Sequence, residues 1–140
     1  MTPFRFPQPE EEALVMGIIN LSPESFYGAS RCGTLEQALH VAEKMIEEGA
    51  DILDIGAESS RPGSAPLSEQ EELNRLLPVV IKLAEIVNIP ISVDTYKPAV
   101  AHEVLNAGAS IINDITGLQR FPDMAKNIAR FRAGVILMHM

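Results

Sequence analysis

The sequence predicts an α/β fold built on a parallel β-sheet. Five short runs rich in Ile and Val lie along the 140 residues, and their poor alternation of polar and apolar positions is typical of strands buried on both faces. Amphipathic segments with helical periodicity separate these runs. This alternation predicts the order β-α-β-α-β-α-β-α-β, with right-handed crossovers between the strands.

The five predicted strands follow an N-terminal arm. Residues 1–12 contain three prolines and a run of three glutamates, so we expect a solvated arm that contacts the fold at one or two points. Residues 13–140 are expected to form one domain. The predicted strands are Leu14–Ile19, Ile52–Ile55, Ile89–Val93, Ser110–Ile112 and Val135–Met138.

Capping residues predict where the first two helices begin and end. Thr34 with Gln37, and Ser68 with Glu71, have the spacing of a capping box. Gly49 suits the position just after the first helix.

The later helices carry proline, glycine and aspartate signals. Pro98 can occupy the first position of the third helix, and Gly108 can end it. Asp123 is expected to cap a fourth helix. Pro78 lies inside the second helical pattern and predicts a kink or a break there.

Each predicted strand ends at a polar residue. A buried carboxylate or amide is costly without a partner, and ligands of parallel α/β folds bind at the carboxyl ends of the strands. Taken singly, each residue could form a turn, cap a helix or be a structural histidine. Their recurrence favours a shared ligand-binding surface. The series is Asn20, Asp54, Asp94, Asn113 with Asp114, and His139.

Two loops add candidates of a different kind. The loop Glu58–Gly63 contains two serines and Arg61, which suit an anion site because a guanidinium binds phosphate or carboxylate bidentately; an ordinary surface turn is equally compatible. The loop Leu21–Gly28 contains Phe26, which could belong to a lid or could pack back onto the fold.

Composition excludes several classes of function. Nineteen acidic residues against eleven basic ones give a net charge of -8, which argues against a broad nucleic-acid surface. No apolar run approaches the ~18 residues of a membrane span. Cys32 is the single cysteine, so no internal disulfide can form. A single cysteine is typical of a reducing compartment, so we expect a cytoplasmic protein. The sequence has neither the ligand spacing of a zinc site nor a glycine-rich nucleotide-binding loop.

The motifs from Leu14 to Met140 together resemble the dihydropteroate synthases, a pterin-binding family. Met16–Phe26 is similar to the first signature of that family, and Asp54–Gly63 is similar to the second. The resemblance implies a (β/α)8 TIM barrel, of which this chain would supply about the first five strands and four helices. Later segments match in the same order, at Ile91–Lys97, Ile111–Asp114 and Leu137–Met140.

The resemblance also implies an activity. The family performs a transferase step of folate biosynthesis, joining p-aminobenzoate to 6-hydroxymethyl-7,8-dihydropterin diphosphate and releasing diphosphate. By resemblance, Asp94 and Asn113 bind the hydrogen-bonding edge of the pterin. Asn20 helps to hold the Mg²⁺ that neutralises the diphosphate.

Further residues receive supporting roles by the same resemblance. Ser60 and Arg61 belong to a mobile loop near the diphosphate and p-aminobenzoate, and Phe26 belongs to the first mobile loop. Asp54 supports the site from beneath, and His139 lies in the last matched motif.

Some positions depart from the family pattern. Ser60 stands where the family usually has threonine, Ala57 replaces a common glycine, and Tyr27–Ser30 differs from the usual first loop. These departures keep open a pterin- or folate-binding homologue without synthase activity. The length of the chain separately keeps open a five-stranded flavodoxin-like binding domain, although that fold leaves the ordered motifs unexplained.

The length leads to an expectation about the whole protein. A TIM barrel takes ~250 residues, so we expect this chain to be the N-terminal part of a longer protein that forms a homodimer. Alone it would expose strand edges and the inner face of an open barrel. We expect the isolated chain to aggregate or to pair with another half, with little activity.

Overall fold

In a computed structural model, which describes residues 3–21 and 35–139, five strands alternate with four helices, and the predicted order is confirmed. The strands are β1 (Met16–Asn20), β2 (Ile52–Gly56), β3 (Ile91–Asp94), β4 (Ile111–Asp114) and β5 (Gly134–Leu137). The helices are α1 (Leu35–Glu47), α2 (Glu69–Ile86), α3 (Pro98–Asn106) and α4 (Asp123–Phe131).

The sheet is parallel, and its strands lie in the order in which they occur along the chain, β1-β2-β3-β4-β5. A flavodoxin-like sheet has the order 2-1-3-4-5, because its first strand lies inside the sheet. The flavodoxin-like alternative is therefore wrong. A sequential order is what the wall of a (β/α)8 barrel requires.

The core lies between the sheet and its helices. β2 is buried along its whole length, as expected of a strand covered on both faces. Leu53, Ile55, Val93 and Ile112 have no exposed surface and pack in the same cluster as α2 and α3. Full burial of each such side chain contributes about 1.5–3 kcal/mol, so this layer fixes the positions at which the strands end.

Helix α2 confirms one predicted cap and corrects another expectation. The Ser68 hydroxyl accepts from the Glu71 backbone N–H, and the Glu71 carboxylate accepts from the Ser68 backbone N–H, which completes the capping box. Of the kink or break expected at Pro78, the break is wrong, because the helix runs without interruption from Glu69 to Ile86, and the kink stays a prediction. The backbone carbonyl that loses its partner belongs to Asn74, which is exposed as Pro78 is, while Val79 and Val80 pack into the core.

The predicted ends of α3 are confirmed, whereas the predicted start of α4 is wrong. Pro98 opens α3 at its first position and Gly108 follows its end with φ +121°, as predicted. The prediction that Asp123 caps α4 is wrong by one position. Pro122 is the N-cap residue, and Asp123 is the first helical residue, where its carboxylate pairs with Lys126 at 2.7 Å. An aspartate in the first turn still interacts favourably with the helix dipole.

Of the two signals that predict the ends of α1, the structure describes only the one at Gly49. Thr34 lies outside them, so the predicted capping box with Gln37 lies outside them too. Gly49 follows the last turn with φ +106°, as the prediction requires.

The segment before β1 contacts the sheet near the amino end of β5. Phe4 and Phe6 pack edge to face, with ring centroids 4.7 Å apart, and both rings lie against Gly134. Over the described ranges, no helix combines the length and the apolar character that crossing a membrane would require.

Candidate active site at the carboxyl ends of the strands

Four positions form one row across the carboxyl ends of the first four strands. In the pairing register Asn20 lies opposite Gly56, Gly56 opposite Asp94, and Asp94 opposite Asn113. Partners in register project from the same face of a sheet, with strands about 4.8 Å apart. The fold thus brings the predicted residues Asn20, Asp94 and Asn113 to one edge and one face.

Asp54 lies beneath this row on the same face. It precedes Gly56 by two residues, and its register partner is Ser92, two residues before Asp94. The Asn113 amide Nδ2 donates to Asp54 Oδ2 at 3.2 Å, reaching across β3. This bond fixes the orientation of the amide, leaving the Asn113 carbonyl oxygen as an acceptor and one N–H as a donor.

Two buried oxygens under the row are unsatisfied. Among the residues that the structure describes, Asp54 Oδ1 and Ser92 Oγ are the buried side-chain atoms that lack a hydrogen-bond partner. Leaving such a group unpaired costs about 1–3 kcal/mol. Burial raises the pKa of Asp54, against the opposing effect of the neighbouring Ser92 and Asn113 side chains. This part of the molecule is polar at a cost in stability, as expected of a binding site.

Among the carboxyl groups of the site, Asp94 has the pKa furthest from its ordinary value. Burial, followed by the negative charges of Asp54, Glu72 and Glu58, raises the pKa of Asp94 to about 7. Near neutral pH this carboxyl is therefore divided between its two protonation states. A ligand that donates hydrogen bonds to it would favour the charged state.

Gly56 keeps the row open between Asn20 and Asp94. A Cβ atom at position 56 would lie 3.5 Å from Asp94 Cβ and 3.7 Å from Asp94 Oδ2. The missing side chain leaves space directly beside the carboxyl of Asp94.

The loop after β2 places Ser60 beside Asp94. Both residues line one small cavity, while Ser60 and Arg61 are exposed. The loop contains a turn in which the Ser64 N–H donates to the Arg61 carbonyl oxygen at 3.1 Å, and Gly63 has φ +85°. Proline followed by a glycine of positive φ is typical of a type II turn, so the chain reverses direction directly after Ser60.

A buried ion network beneath this loop was missed by the sequence analysis. The ammonium of Lys97 pairs with the carboxylates of Glu58 and Glu72. The Tyr96 hydroxyl donates to Glu58 Oε1 at 2.7 Å, and the Leu67 N–H donates to Glu58 Oε2 at 3.1 Å. One signal could have found it: Glu72 lies at helical spacing from buried residues of α2, on the face that should be apolar.

Asp114 does not belong to the polar row. It follows Asn113 directly, so its side chain projects from the opposite face. Asp114 is 1% exposed and holds a turn: Oδ1 accepts from the N–H and the hydroxyl of Thr116, both at 2.8 Å, and Oδ2 accepts from the Leu118 N–H at 3.0 Å. Of its two possible roles, the turn is the one that the contacts support.

The remaining candidates are less well placed by the fold. His139 is exposed, two residues past the end of β5, at the same edge as the row. Phe26 lies outside the described residues. Over residues 3–21 and 35–139, no group of three or more His, Cys, Asp or Glu side chains could hold a metal ion. A metal at this edge would therefore need oxygen ligands from elsewhere, including a substrate.

Comparison with known proteins identifies the family. A family model described as "Pterin binding enzyme" matches residues 16–140. The dihydropteroate synthase of Bacillus subtilis is 48% identical over 130 residues, covering 93% of this chain and 46% of that protein.

Solved structures give the same result. The crystal structure of the Yersinia pestis dihydropteroate synthase with a sulfonamide drug complex has a TM-score of 0.84 and 48% identity, covering 91% of this chain and 46% of that one. The Burkholderia cenocepacia dihydropteroate synthase complexed with 7,8-dihydropteroate has a TM-score of 0.79 and 45% identity, covering 94% and 42%.

The fold and the motifs agree with these similarities. The chain spans about half the length of the curated relatives it matches, 46% in the case of the Bacillus subtilis protein. Its parallel strands and their helices match the corresponding part of TIM-barrel structures. On the family match over residues 16–140, the chain belongs to the pterin-binding enzyme family.

Proposed function

We propose that this chain forms the pterin-binding part of a dihydropteroate synthase. The reaction joins p-aminobenzoate to 6-hydroxymethyl-7,8-dihydropterin diphosphate, giving 7,8-dihydropteroate and diphosphate. The observation that carries the proposal is the row in which Asp94 and Asn113 stand in register above Asp54.

The row suits the edge of a pterin. An aminopyrimidinone ring presents adjacent N–H donors beside a carbonyl acceptor, and one carboxylate can accept two parallel N–H bonds. Asp94 supplies that carboxylate. Asn113, oriented by its bond to Asp54 Oδ2, supplies a carbonyl oxygen and an N–H in the next strand. The opening at Gly56 gives the flat ring space beside Asp94.

The loop after β2 suits the other substrate groups. Ser60 keeps the hydroxyl that the family usually takes from threonine, and Arg61 offers a guanidinium for the diphosphate or for the carboxylate of p-aminobenzoate. No protein nucleophile is required, because the arylamine nitrogen forms the new C–N bond to the pterin methylene carbon as the C–O bond to diphosphate breaks, and the nitrogen then loses a proton to the solvent. The protein positions the two reactants and stabilises the departing charge.

Mg²⁺ is part of the proposal as the counter-ion of the diphosphate. Mg²⁺ usually takes one or two protein oxygens, substrate phosphate oxygens and water. Asn20, at the carboxyl end of β1, offers an amide oxygen in the same row as Asp94, which fits this pattern. When bound, the ion would neutralise charge on the leaving diphosphate.

The names of the relatives support the same reaction. The Bacillus subtilis relative is a dihydropteroate synthase, and the Burkholderia cenocepacia relative is complexed with 7,8-dihydropteroate, the product of the proposed reaction. Both are more than 40% identical to this chain.

Diphosphate release tests the proposal. In the complete gene product that contains these residues, we expect release to require both Mg²⁺ and p-aminobenzoate. Asp94→Asn should reduce it by at least about a hundredfold, because an amide cannot accept both pterin N–H bonds. Asp123→Asn, which changes an exposed carboxylate on α4, is the matched control. Pterin binding without diphosphate release would contradict the synthase function and favour a pterin-binding homologue without synthase activity.

A further inference from the structure

The Glu58 carboxylate closes the loop that contains Ser60 and Arg61. Glu58 stands just before this loop, and its Oε2 accepts the backbone N–H of Leu67, just after it, at 3.1 Å. One side chain therefore joins the two ends of residues 59–66. The loop has a fixed base even though Ser60 and Arg61 are exposed.

The Lys97 ammonium ties this base to the rest of the site. Its Nζ atom lies between the carboxylates of Glu58 and Glu72, so the loop is joined both to α2 and to the segment after β3. The three side chains are 10% exposed for Lys97, 17% for Glu58 and 1% for Glu72. Lys97 follows Asp94 by three residues, in the segment that joins β3 to α3, and its ion pairs are to Glu58 and Glu72.

Glu58 and Lys97 stay charged at neutral pH. Burial alone would raise the pKa of Glu58, but hydrogen bonds from Lys97, Tyr96 and the Leu67 backbone hold it below its ordinary value. Burial would lower the pKa of Lys97, but the bonds to Glu58 and Glu72 raise it. A buried ion network is weak evidence for stability, since apolar replacements are often neutral or better. The presence of the network is explained more directly by the fixed position that it gives the loop relative to α2 and to the segment after β3.

We propose that Glu58, Lys97 and Glu72 form a clamp that positions the loop 59–66 over Asp94. Lys97 and Glu58 are thus positioning residues for the substrate that binds at Ser60 and Arg61, whereas Asp94 and Asn113 bind the pterin without the clamp. This assignment rests on the proposed function for the identity of the two substrates. The clamp itself can be measured without catalysis.

The first test is hydrogen exchange of the loop in the complete gene product. Glu58→Gln removes the charged hold on the loop while leaving the Lys97–Glu72 pair balanced. The hydrogen-bonded amides of Arg61, Ser64 and Leu67 should then exchange roughly tenfold faster, while those of β3 and β4 keep their rates. Glu85→Gln, which breaks an exposed pair with Lys82, is the matched control. Unchanged exchange in the loop would overturn the clamp.

The second test separates the two substrates kinetically. Glu58→Gln should raise KM for p-aminobenzoate roughly tenfold, because a loosened loop spends less time in the binding geometry. The Kd for 6-hydroxymethyl-7,8-dihydropterin should stay within about twofold. A parallel loss of both affinities would show a merely structural role and would contradict the assignment.

A double variant tests the clamp by changing Lys97 and Glu72 in place of Glu58. Lys97→Met with Glu72→Gln removes the anchor without leaving Glu72 as an unpaired buried charge, and it should reproduce the faster loop exchange and the KM change. Lys97→Arg, which keeps the charge, should restore values near those of the parent. If the parent protein binds pterin but has no synthase activity, the proposed function fails, while loop exchange and pterin affinity still decide whether the clamp exists.

Discussion

Asp94 shows how the site is maintained at the expense of the fold. Its pKa lies at about 7 rather than near 3.8, because it is buried and faces the charges of Asp54, Glu72 and Glu58. Ionising this carboxyl in the folded protein costs free energy that the unfolded chain does not spend. The folded state therefore binds a proton more tightly at this group than the unfolded state does.

Replacing Asp94 by asparagine should stabilise the protein at neutral pH. A raised carboxyl pKa destabilises the fold above the unfolded value, and the loss grows as pH rises from about 4 to about 7. The shift corresponds to an upper limit of about 4 kcal/mol, at 1.36 kcal/mol per pKa unit. Urea denaturation should show the Asp94→Asn advantage above about pH 7 and little of it near pH 4. Equal stabilities at both pH values would contradict the perturbed pKa.

Gly56 makes a second prediction at the residue scale. A methyl group there would make ordinary van der Waals contact with Asp94 in the free protein, at 3.5 Å or more, so Gly56→Ala should fold. The methyl would occupy the space proposed for the pterin ring, and pterin affinity should fall roughly tenfold or more. Calorimetric titration with 6-hydroxymethyl-7,8-dihydropterin measures this. Unchanged affinity would mean that the ring does not lie at Gly56.

At this scale the sequence predicts the row better than it predicts the network beneath it. Asn20, Asp94 and Asn113 can be found because strand ends mark the ligand side of a parallel sheet. Asp114 misleads because successive strand residues face opposite sides. Glu58, Glu72 and Lys97 meet over separations of 25 and 39 residues, which no local pattern encodes.

Among the elements, α2 combines a strong start with an unfavourable interior. Its capping box gives hydrogen-bond acceptors to two backbone N–H groups, those of Ser68 and Glu71. The buried face of the helix includes Leu76 and Leu83. These interactions hold the helix together across Pro78. Local sequence signals at Pro78 predict an interruption, and tertiary packing overrides them.

Replacing Pro78 by alanine should stabilise α2. Alanine restores a backbone N–H, and Pro78 is exposed, so no packing is lost. Proline inside a helix costs about 3 kcal/mol, partly offset by about 1 kcal/mol from the more flexible unfolded chain, so a gain of roughly 2 kcal/mol is expected. Thermal unfolding measures the gain. A lower Tm would show that α2 depends on the geometry that proline imposes.

The order of the elements is predictable where their boundaries are not. Ile and Val runs define all five strands. Burial explains the apolar sequence of β2, β3 and β4, whereas β1 and β5 are apolar although partly exposed. Asp123 shows the limit. A cap and a first helical residue differ by one position, and an aspartate favours both.

For the whole molecule, the sequential strand order leaves β1 and β5 as the two edges of the described sheet. Val15, Ile18 and Leu137 are each about half exposed there, at 59%, 52% and 48%. Open parallel edges beside apolar side chains favour association with another chain.

A polypeptide of these 140 residues should therefore self-associate. Sedimentation velocity at micromolar concentration is expected to show species larger than a monomer, because edge pairing and apolar contact both favour them. Val15→Lys with Leu137→Lys should shift the distribution toward the monomer, since edge lysines oppose pairing. A stable monomer for the unmodified polypeptide would contradict this account of its surface.

Pterin affinity as a function of pH tests the central claim most directly. If Asp94 accepts the N–H donors of the pterin, 6-hydroxymethyl-7,8-dihydropterin binds the ionised carboxyl, and affinity falls up to about tenfold per pH unit below about pH 7. In the complete gene product, Asp94→Asn should weaken binding about a hundredfold and abolish this pH dependence, while Asp123→Asn changes neither. Equal affinity of the parent and Asp94→Asn, or no pH dependence in the parent, would contradict the assignment of the strand-end row as the pterin site.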